Sequence, residues 1–594
     1  MSRARAFLRR ALDPAIALAL AIAYVWVLLA TTSDLGYARD EGFYFVAARS
    51  YGKWFSLFQS SREAALLPGT IDQYWGVNSE HPALMKSLFA LSNLVLQEKH
   101  HLFSMMGTSF RFPAMVLSGG WVAVVYLWAR RLHGRAAGLV AAVSLAFFPR
   151  VFFHAHLACF DAPIAALFAM TSFAYVEALR RRSFLWPVVT GLLFGLALDT
   201  KHNAWFIPIA ATAHLFGTAT FAFALRAPVW PAIKRIVQNV VAMGVLGPLV
   251  LYALWPWIWH DTIARLHAYV NFHVGHEYYN MEFLGKNYWA APMPRGYAWL
   301  MTAATVPTVT LALFAVGLCV RARVWLGGVA AWLVARARGA AAPAPAPRIV
   351  DAAGTDVLWL LCVLINYAAW LSPTTPIFGG TKHWMTAYPF LALFAGTGLD
   401  AVVRAARGEI FRLRRRHPVW RRLGAAPWAP AALIGAAVLA APITETVRSH
   451  PWGLTSYTPL VGGAAGAASL GLNRTFWGYS TGSVVDFLGR EAPPGASVYI
   501  HDTAGSAWDM LVRDGRVRRD LRVSWGVPGA DFSLYQHEKH MLGHEYQSWI
   551  AFGTVAPVFI AGLDGVPVIW VYEDPRVLRA RGGLPRRDGG GQLQ

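Results

Sequence analysis

Cysteine is nearly absent: three in 594 residues. Cys159 lies in or beside an apolar run, and Cys319 and Cys362 lie inside others. That excludes a disulfide framework and a cysteine metal site. Charge is also scarce, at 14% of residues, and acids are scarcer than bases, 32 Asp and Glu against 53 Lys and Arg, for a net charge of +21. So little charge, with 56% hydrophobic residues and a mean hydropathy of +0.39, excludes an ordinary soluble globular protein. The basic excess does not signal nucleic acid either. It falls in short clusters between long apolar runs, as in the cytoplasmic loops of multi-pass membrane proteins. No small-x-small cleavage motif follows the first apolar run. The opening MSRARAFLRRALDP therefore reads as the basic flank of an uncleaved anchor with its N-terminus in the cytoplasm.

What is present in quantity is apolar sequence of bilayer length. About eleven spans are expected, at roughly 15–32, 110–130, 136–152, 158–179, 185–200, 203–225, 236–256, 297–320, 356–372, 383–403 and 426–443. The apolar stretch 324–335 is short and flanked by arginine, and is assigned to the cytoplasmic surface. Basic clusters at Arg9/Arg10, Arg130/Arg131/Arg135, Arg180 to Arg182, Lys234/Arg235, Arg321 to Arg338 and Arg412 to Arg422 all fall on one side if the spans alternate. The loop 33–108, the loops 257–296 and 373–382, and everything after Pro442 then lie outside the cytoplasm. AAAPAPAP (340–347) reads as an internal Pro/Ala linker. The fold class expected is a mainly α, polytopic membrane protein: residues 1–443 form the membrane region, and 444–594 a small extracytoplasmic α/β domain. Strand-like runs in that domain are SVYIHD (497–502), PVFIAGL (557–563) and PVIWVYED (567–574).

Directly after the first span, SDLGYARDEGFYFVAARSYGKWF (33–55) carries the adjacent acids Asp40 and Glu41. Carboxylates are costly in a bilayer, so a pair just outside one suggests a site at the membrane surface. A helix cap is the plainer explanation. Residues 41–58 are amphipathic and helix-compatible, suited to the interface plane. Further on, NSEHPALMKSLFAL (78–91) places Pro82 at a helix start and Lys86 about one turn later. His81 and Lys86 then present donors together. Arg111 follows in SFRFPAM.

These segments, ARDEGFYFVAARS, EHPALMKSLFAL and FRFPAMVLSG, resemble in order the membrane glycosyltransferases of the GT-C fold. The resemblance is closest to the protein O-mannosyltransferase and aminoarabinose (lipid A) transferase-type branch. The second proline of that family's EHPP pattern is Ala83 here. FPRVFFHAHLACFDAPIAALF (148–168) resembles the family's D-x-P segment, with Asp161 and Pro163. ALDTKHNAWFIP (197–208) resembles its T-K segment, with Lys201 and His202. GGTKHWMTAYPFLALFAGTGL (379–399) resembles the segment before a late span, with Lys382 and His383. HPWGLTSYTPLVGGAAGA (450–467) resembles the opening of the external domain, with Thr458 where the family has asparagine.

The resemblance implies an inverting transfer of a sugar from a polyprenyl-phosphate carrier to an acceptor outside the cytoplasm, in a bacterial inner membrane. The acceptor is a protein, lipid A or another envelope glycan, and membrane lipids are the surroundings. Phosphate is a weak base as a leaving group. One carboxylate to deprotonate the acceptor and several cations to hold the phosphate therefore suffice, unlike the two opposed carboxylates a soluble glycosidase generally needs. Asp40 is the expected base, with Glu41 orienting it or the acceptor. Lys86, Arg111, Lys201, His202, Lys382 and His383 are the phosphate-binding candidates, and snorkelling anchors are the alternative for each. His81, His156 (with His154) and Asp161 are candidates for sugar or acceptor contact. Some family members hold a divalent ion near the acidic motif, and His with carboxylates suits one, but no ligand spacing here requires it. His537, His540 and His544 in YQHEKHMLGHEYQSW (535–549) would share a helix face, as a solvated surface or a zinc site. The aromatic loop 257–296 reads as a membrane-surface helix beside the active cavity. The competing class is a transporter or lipid flippase. Against it, the charges gather outside the spans and no paired interrupted helices occur in matching halves. A non-catalytic envelope scaffold is a third reading.

Overall fold

Apolar segments in a bilayer must satisfy every backbone N–H and C=O internally, which leaves helices as the form for runs of this length. The computed structural model describes residues 3–181, 183–224, 230–338, 352–414, 418–580 and 582. The segment 340–347, expected as a linker, lies outside them. Among the described residues seven helices are long and apolar enough to cross a membrane: Ala11–Asp34, Met106–His133, Asp161–Arg180, Ile233–Leu254, Thr308–Ala335, Met385–Leu413 and Ala429–Ser449. Arg135–Ala146 and Pro149–His156 make an eighth if the pair, bent by 65°, is one span. The bend sits where Phe148 is extended ahead of Pro149, as proline demands of the residue before it. Leu185–Leu198 and Thr355–Leu371 are shorter apolar helices, and 203–225 contains the helix Phe206–Ala224.

The eleven expected stretches are thus all helical, and eleven is an approximate count of spans. Two details differ from expectation. The stretch 297–320 is two helices, Tyr297–Thr305 and Thr308–Ala337, parted at Val306-Pro307. The segment 324–335, assigned to a surface, continues the second of these helices. An apolar run interrupted by single arginines keeps helical hydrogen bonding, because those long side chains can leave the helix axis.

Small residues set the closest crossing. A Cβ on Gly317 would stand 2.0 Å from the Phe394 carbonyl oxygen, and one on Gly398 2.0 Å from that of Leu313. The helices 308–337 and 388–413 therefore meet backbone to backbone. Part of the basic excess is spent on buried acids. Asp13 accepts from Arg135 at 2.7 Å and pairs with Arg130, Glu177 pairs with Arg131 and with Arg181, and Asp356 pairs with Arg321.

Between the first two spans the chain forms helices Arg39–Ser60, Arg62–Leu66, Pro68–Trp75 and Leu84–Ser92. The first of these buries Glu41, Tyr44, Phe45, Ala48, Tyr51 and Gly52 along one face, the i, i+3, i+4, i+7 spacing of an amphipathic helix. Helix Thr262–Val274 and the two-stranded hairpin β1 (Met281–Phe283) and β2 (Lys286–Tyr288) follow the span ending at Leu254.

After the last span comes a five-stranded mixed sheet of β3 (Ser497–Tyr499), β4 (Arg522–Ser524), β5 (Phe532–Gln536), β6 (Phe559–Leu563) and β7 (Val566–Glu573), in the order β4-β3-β5-β7-β6. β3 is parallel to β4 and β5, and β7 is antiparallel to β5 and β6. The stretch 535–549 is not one helix. Gln536 ends β5, and a helix begins only at Leu542. His537 packs on Trp570, whereas His544 packs on His501, so His537 does not share a face with His544. Strand pairing with Ile569 and Trp570 holds Gln536 and Tyr535 in the sheet, and this overrides the local helical spacing. The sheet shares a hydrophobic core with helix Arg39–Ser60. Gly42 allows that contact, since a Cβ there would meet Ser506 Oγ at 2.5 Å.

Candidate active site

The acid pair splits at the start of its helix. Ala38 is extended and Arg39 opens the helix. Consecutive helical residues are rotated by about 100°, so Asp40 and Glu41 leave in different directions. Glu41 turns inward and is fully buried. Its Oε1 accepts from Arg111 Nε at 2.7 Å and from the Ala158 N–H at 2.9 Å. Its Oε2 accepts from Arg111 Nη2 at 2.8 Å and from the Ala38 N–H at 2.9 Å, which satisfies a free donor at the helix start. Arg111 donates in addition to the carbonyls of Gly36 and Thr32 and lies 4.4 Å over the Tyr37 ring. Glu41 and Arg111 are therefore a buried bidentate clamp joining the first loop to the span Met106–His133.

Asp40 turns outward into a cavity of about 590 Å³, within the usual size of a small-molecule site. Asp40 Oδ2 lies 3.6 Å from Lys382 Nζ. Lys382 also stands 4.1 Å over the Trp477 ring, and the Trp477 carbonyl accepts from the Arg39 N–H at 2.7 Å. Trp477 has φ +79°, a left-handed conformation that a bulky residue adopts only when its surroundings enforce it. Asp161, at the start of its helix, accepts from Lys201 Nζ at 2.5 Å, and both line the same cavity. Arg150 completes this cationic side, donating to the Leu454 carbonyl at 2.9 Å and lying 5.0 Å over Tyr457.

The cavity thus gathers Asp40, His81, Asp161, Lys201, His202, Lys382 and His383 from the sequence candidates. Glu41, Lys86, Arg111 and His156 stand apart from its wall. His156 is bound to the Phe152 carbonyl at 2.7 Å and the Thr31 hydroxyl at 2.8 Å. Lys86 donates to the carbonyls of Asn78 and His81, so it holds the loop that presents His81. Burial lowers its ammonium to about 7. Burying Lys86 therefore costs stability in full below about pH 7, and the cost is relieved as pH rises from about 7 to the ordinary lysine value of 10.5. Melting curves of wild type and Lys86→Met are expected to converge or cross in favour of wild type across that window. The effect is on the order of a few kcal/mol at most. A pH-independent difference would remove this role.

Sequence reasoning missed Arg39, Arg150, Glu282, Trp477 and Glu538, all on the cavity wall, and named His540, also on that wall, only as part of a surface or zinc face. Arg150 had a usable signal, a lone arginine in an apolar run, which is costly without a task. The others had none, because they come from loops and from the sheet domain. Arg39 pairs with Asp502 at 3.0 Å. Burial raises Asp502, Glu282 and Glu538, the last well above its ordinary range. Among the described residues no three His, Cys, Asp or Glu side chains are grouped so as to hold a metal ion. Glu41, the acid closest in sequence to Asp40, is committed to Arg111.

Residues 91–259 match the family model for dolichyl-phosphate-mannose-protein mannosyltransferase. That match covers less than a third of the chain, in the stretch that carries the Arg111, Asp161 and Lys201 segments, and the apolar helices make the chain a multi-pass membrane protein. No curated protein matches it. Solved structures with a similar chain course include ArnT from Cupriavidus metallidurans bound to undecaprenyl phosphate. It is 14% identical, with a TM-score of 0.41, over 94% of this chain and 97% of that one. The apo oligosaccharyltransferase of Archaeoglobus fulgidus is 10% identical, with a TM-score of 0.44, over 90% of this chain and 72% of that one.

Proposed function

We propose that the chain is an inverting glycosyltransferase that moves a sugar from a polyprenyl-phosphate carrier to an acceptor on the extracytoplasmic side of a bacterial inner membrane. In this reading the N-terminus is cytoplasmic and the region 444–594 is external. The observation that carries the reading is Asp40 facing Lys382 at 3.6 Å in a cavity that also holds Lys201 and Arg150. The family match over 91–259, whose description names a lipid-phosphate sugar, supports the donor class.

Lys382 faces Asp40 and offsets its charge. A carrier phosphate offers Lys382 a better partner, and Lys201 and Arg150 add charge on the same side. Asp40 is then free to accept the acceptor's hydroxyl proton. The acceptor oxygen attacks the anomeric carbon from the face opposite the phosphate. The carbon–oxygen bond to phosphate breaks with its electron pair staying on phosphate, so the configuration inverts. The cations stabilise the charge that develops there. The sheet domain contributes Glu538 and His540 to the wall and borders the acceptor side.

The test supplies purified full-length protein in sealed proteoliposomes with radiolabelled polyprenyl-phosphate sugars and an envelope extract. Label is expected to move to the extract, and Lys382→Ala is expected to raise the donor KM roughly tenfold or more, the worth of one hydrogen bond to a charged group. Label that crosses the membrane still attached to its carrier would establish the transporter reading instead.

A further inference from the structure

Three histidines on the cavity wall have no task in the reaction just described. His81 comes from the loop before helix Leu84–Ser92, His202 from the turn after helix Leu185–Leu198, and His273 from helix Thr262–Val274. Three separate elements bring them together, with ring centroids 4.4 Å apart for His202 and His273 and 5.6 Å for His81 and His273. His273 Nε2 lies 3.1 Å from the Glu80 carbonyl. Nδ1 of both His81 and His202 is buried without a hydrogen-bond partner. Such atoms are expensive unless a ligand completes them.

Resting on the proposed transfer, we infer that His81, His202 and His273 are the part of the carrier site that takes up a proton as the phosphate gains its second negative charge. In the donor the phosphate is a diester with one charge. When the bond to the sugar breaks, its electron pair makes the phosphate a monoester with a second ionisable oxygen, of pKa about 6. The acceptor's proton goes to Asp40 and then to solvent. A proton from solvent goes to the cluster, so protons balance over the turnover.

The surroundings keep the cluster neutral until then. Burial lowers all three, His273 to about 4 and the others well below the ordinary value. The cations and imidazoles facing them add to this: Lys86, Lys201 and Lys382 toward His81, Lys201 and His383 toward His202, and Lys201 and His276 toward His273. Glu80 reaches His273 through its carbonyl. Asp161 is bound to Lys201 and Asp40 faces Lys382. A dianion placed among these groups reverses the local field and favours imidazolium.

Farnesyl phosphate, a short polyprenyl monoester, tests this by calorimetry on the full chain at pH 7.5 in two buffers of different ionisation enthalpy. At that pH the monoester is already almost wholly a dianion, so a site built of lysines alone would exchange almost no proton. The histidine site is expected to take up roughly one proton per ligand. Uptake is expected to persist in Asp40→Asn, which excludes Asp40 as its source, and to fall to near zero in His202→Asn/His273→Asn. Release or no exchange in wild type overturns the inference, as does uptake that survives the double variant or vanishes in Asp40→Asn. The sign in wild type decides even if the double variant does not fold. Binding without uptake leaves the transfer reaction standing without the histidine role. Absence of binding removes both.

Discussion

Asp40→Asn is expected to lower the rate of sugar transfer by about 10²–10⁴-fold, the usual contribution of a positioned general base, while carrier binding stays within a few-fold of wild type. The amide has the same shape but accepts no proton. Asp40 is one-quarter exposed and its ion pair is with Lys382, so its loss leaves the helix start intact, where Glu41 does the capping. Removing the carboxylate also frees Lys382 for phosphate, so affinity is expected to hold or rise. Single-turnover transfer of label, measured beside equilibrium binding of the carrier, separates the two effects. Transfer within about tenfold of wild type would take the base role away from Asp40.

Arg111→Ala is expected to act on folding rather than on chemistry. The side chain is 1% exposed and Glu41 is fully buried. The substitution strands a carboxylate that two guanidinium bonds and two backbone N–H groups now hold. Breaking a buried pair from one side costs about 3–5 kcal/mol, a large share of the about 5–15 kcal/mol that separates folded from unfolded domains. The expected result is a much lower melting temperature in detergent or loss of folded protein. Arg111→Met/Glu41→Leu is expected to recover part of that loss, since no charge is then left alone. If Arg111 instead held the carrier phosphate, Arg111→Ala would weaken carrier binding with melting unchanged.

These two variants mark how far the site was legible in sequence. Asp40 and Glu41 are neighbours with the same chemistry. The roughly 100° between them on a helix makes one a cavity wall and the other a clamp, and which one turns inward depends on the position of Arg111, about seventy residues away. Lys86 and Arg111 sit in motifs as clear as that of Lys201, yet they point into protein rather than into the cavity. Lys201, Lys382 and Arg150 meet only through packing of three distant segments, and Glu538 arrives from the sheet domain.

The apolar runs alone determined that this is a multi-pass helical membrane protein, because burial of backbone polar groups in lipid allows no other form for them. Their motifs in order pointed to the GT-C glycosyltransferases. The tertiary structure decided the partners of each charge. Side-chain direction and long-range pairing are set by helix phase and by contacts between segments far apart in the chain, and local sequence encodes neither.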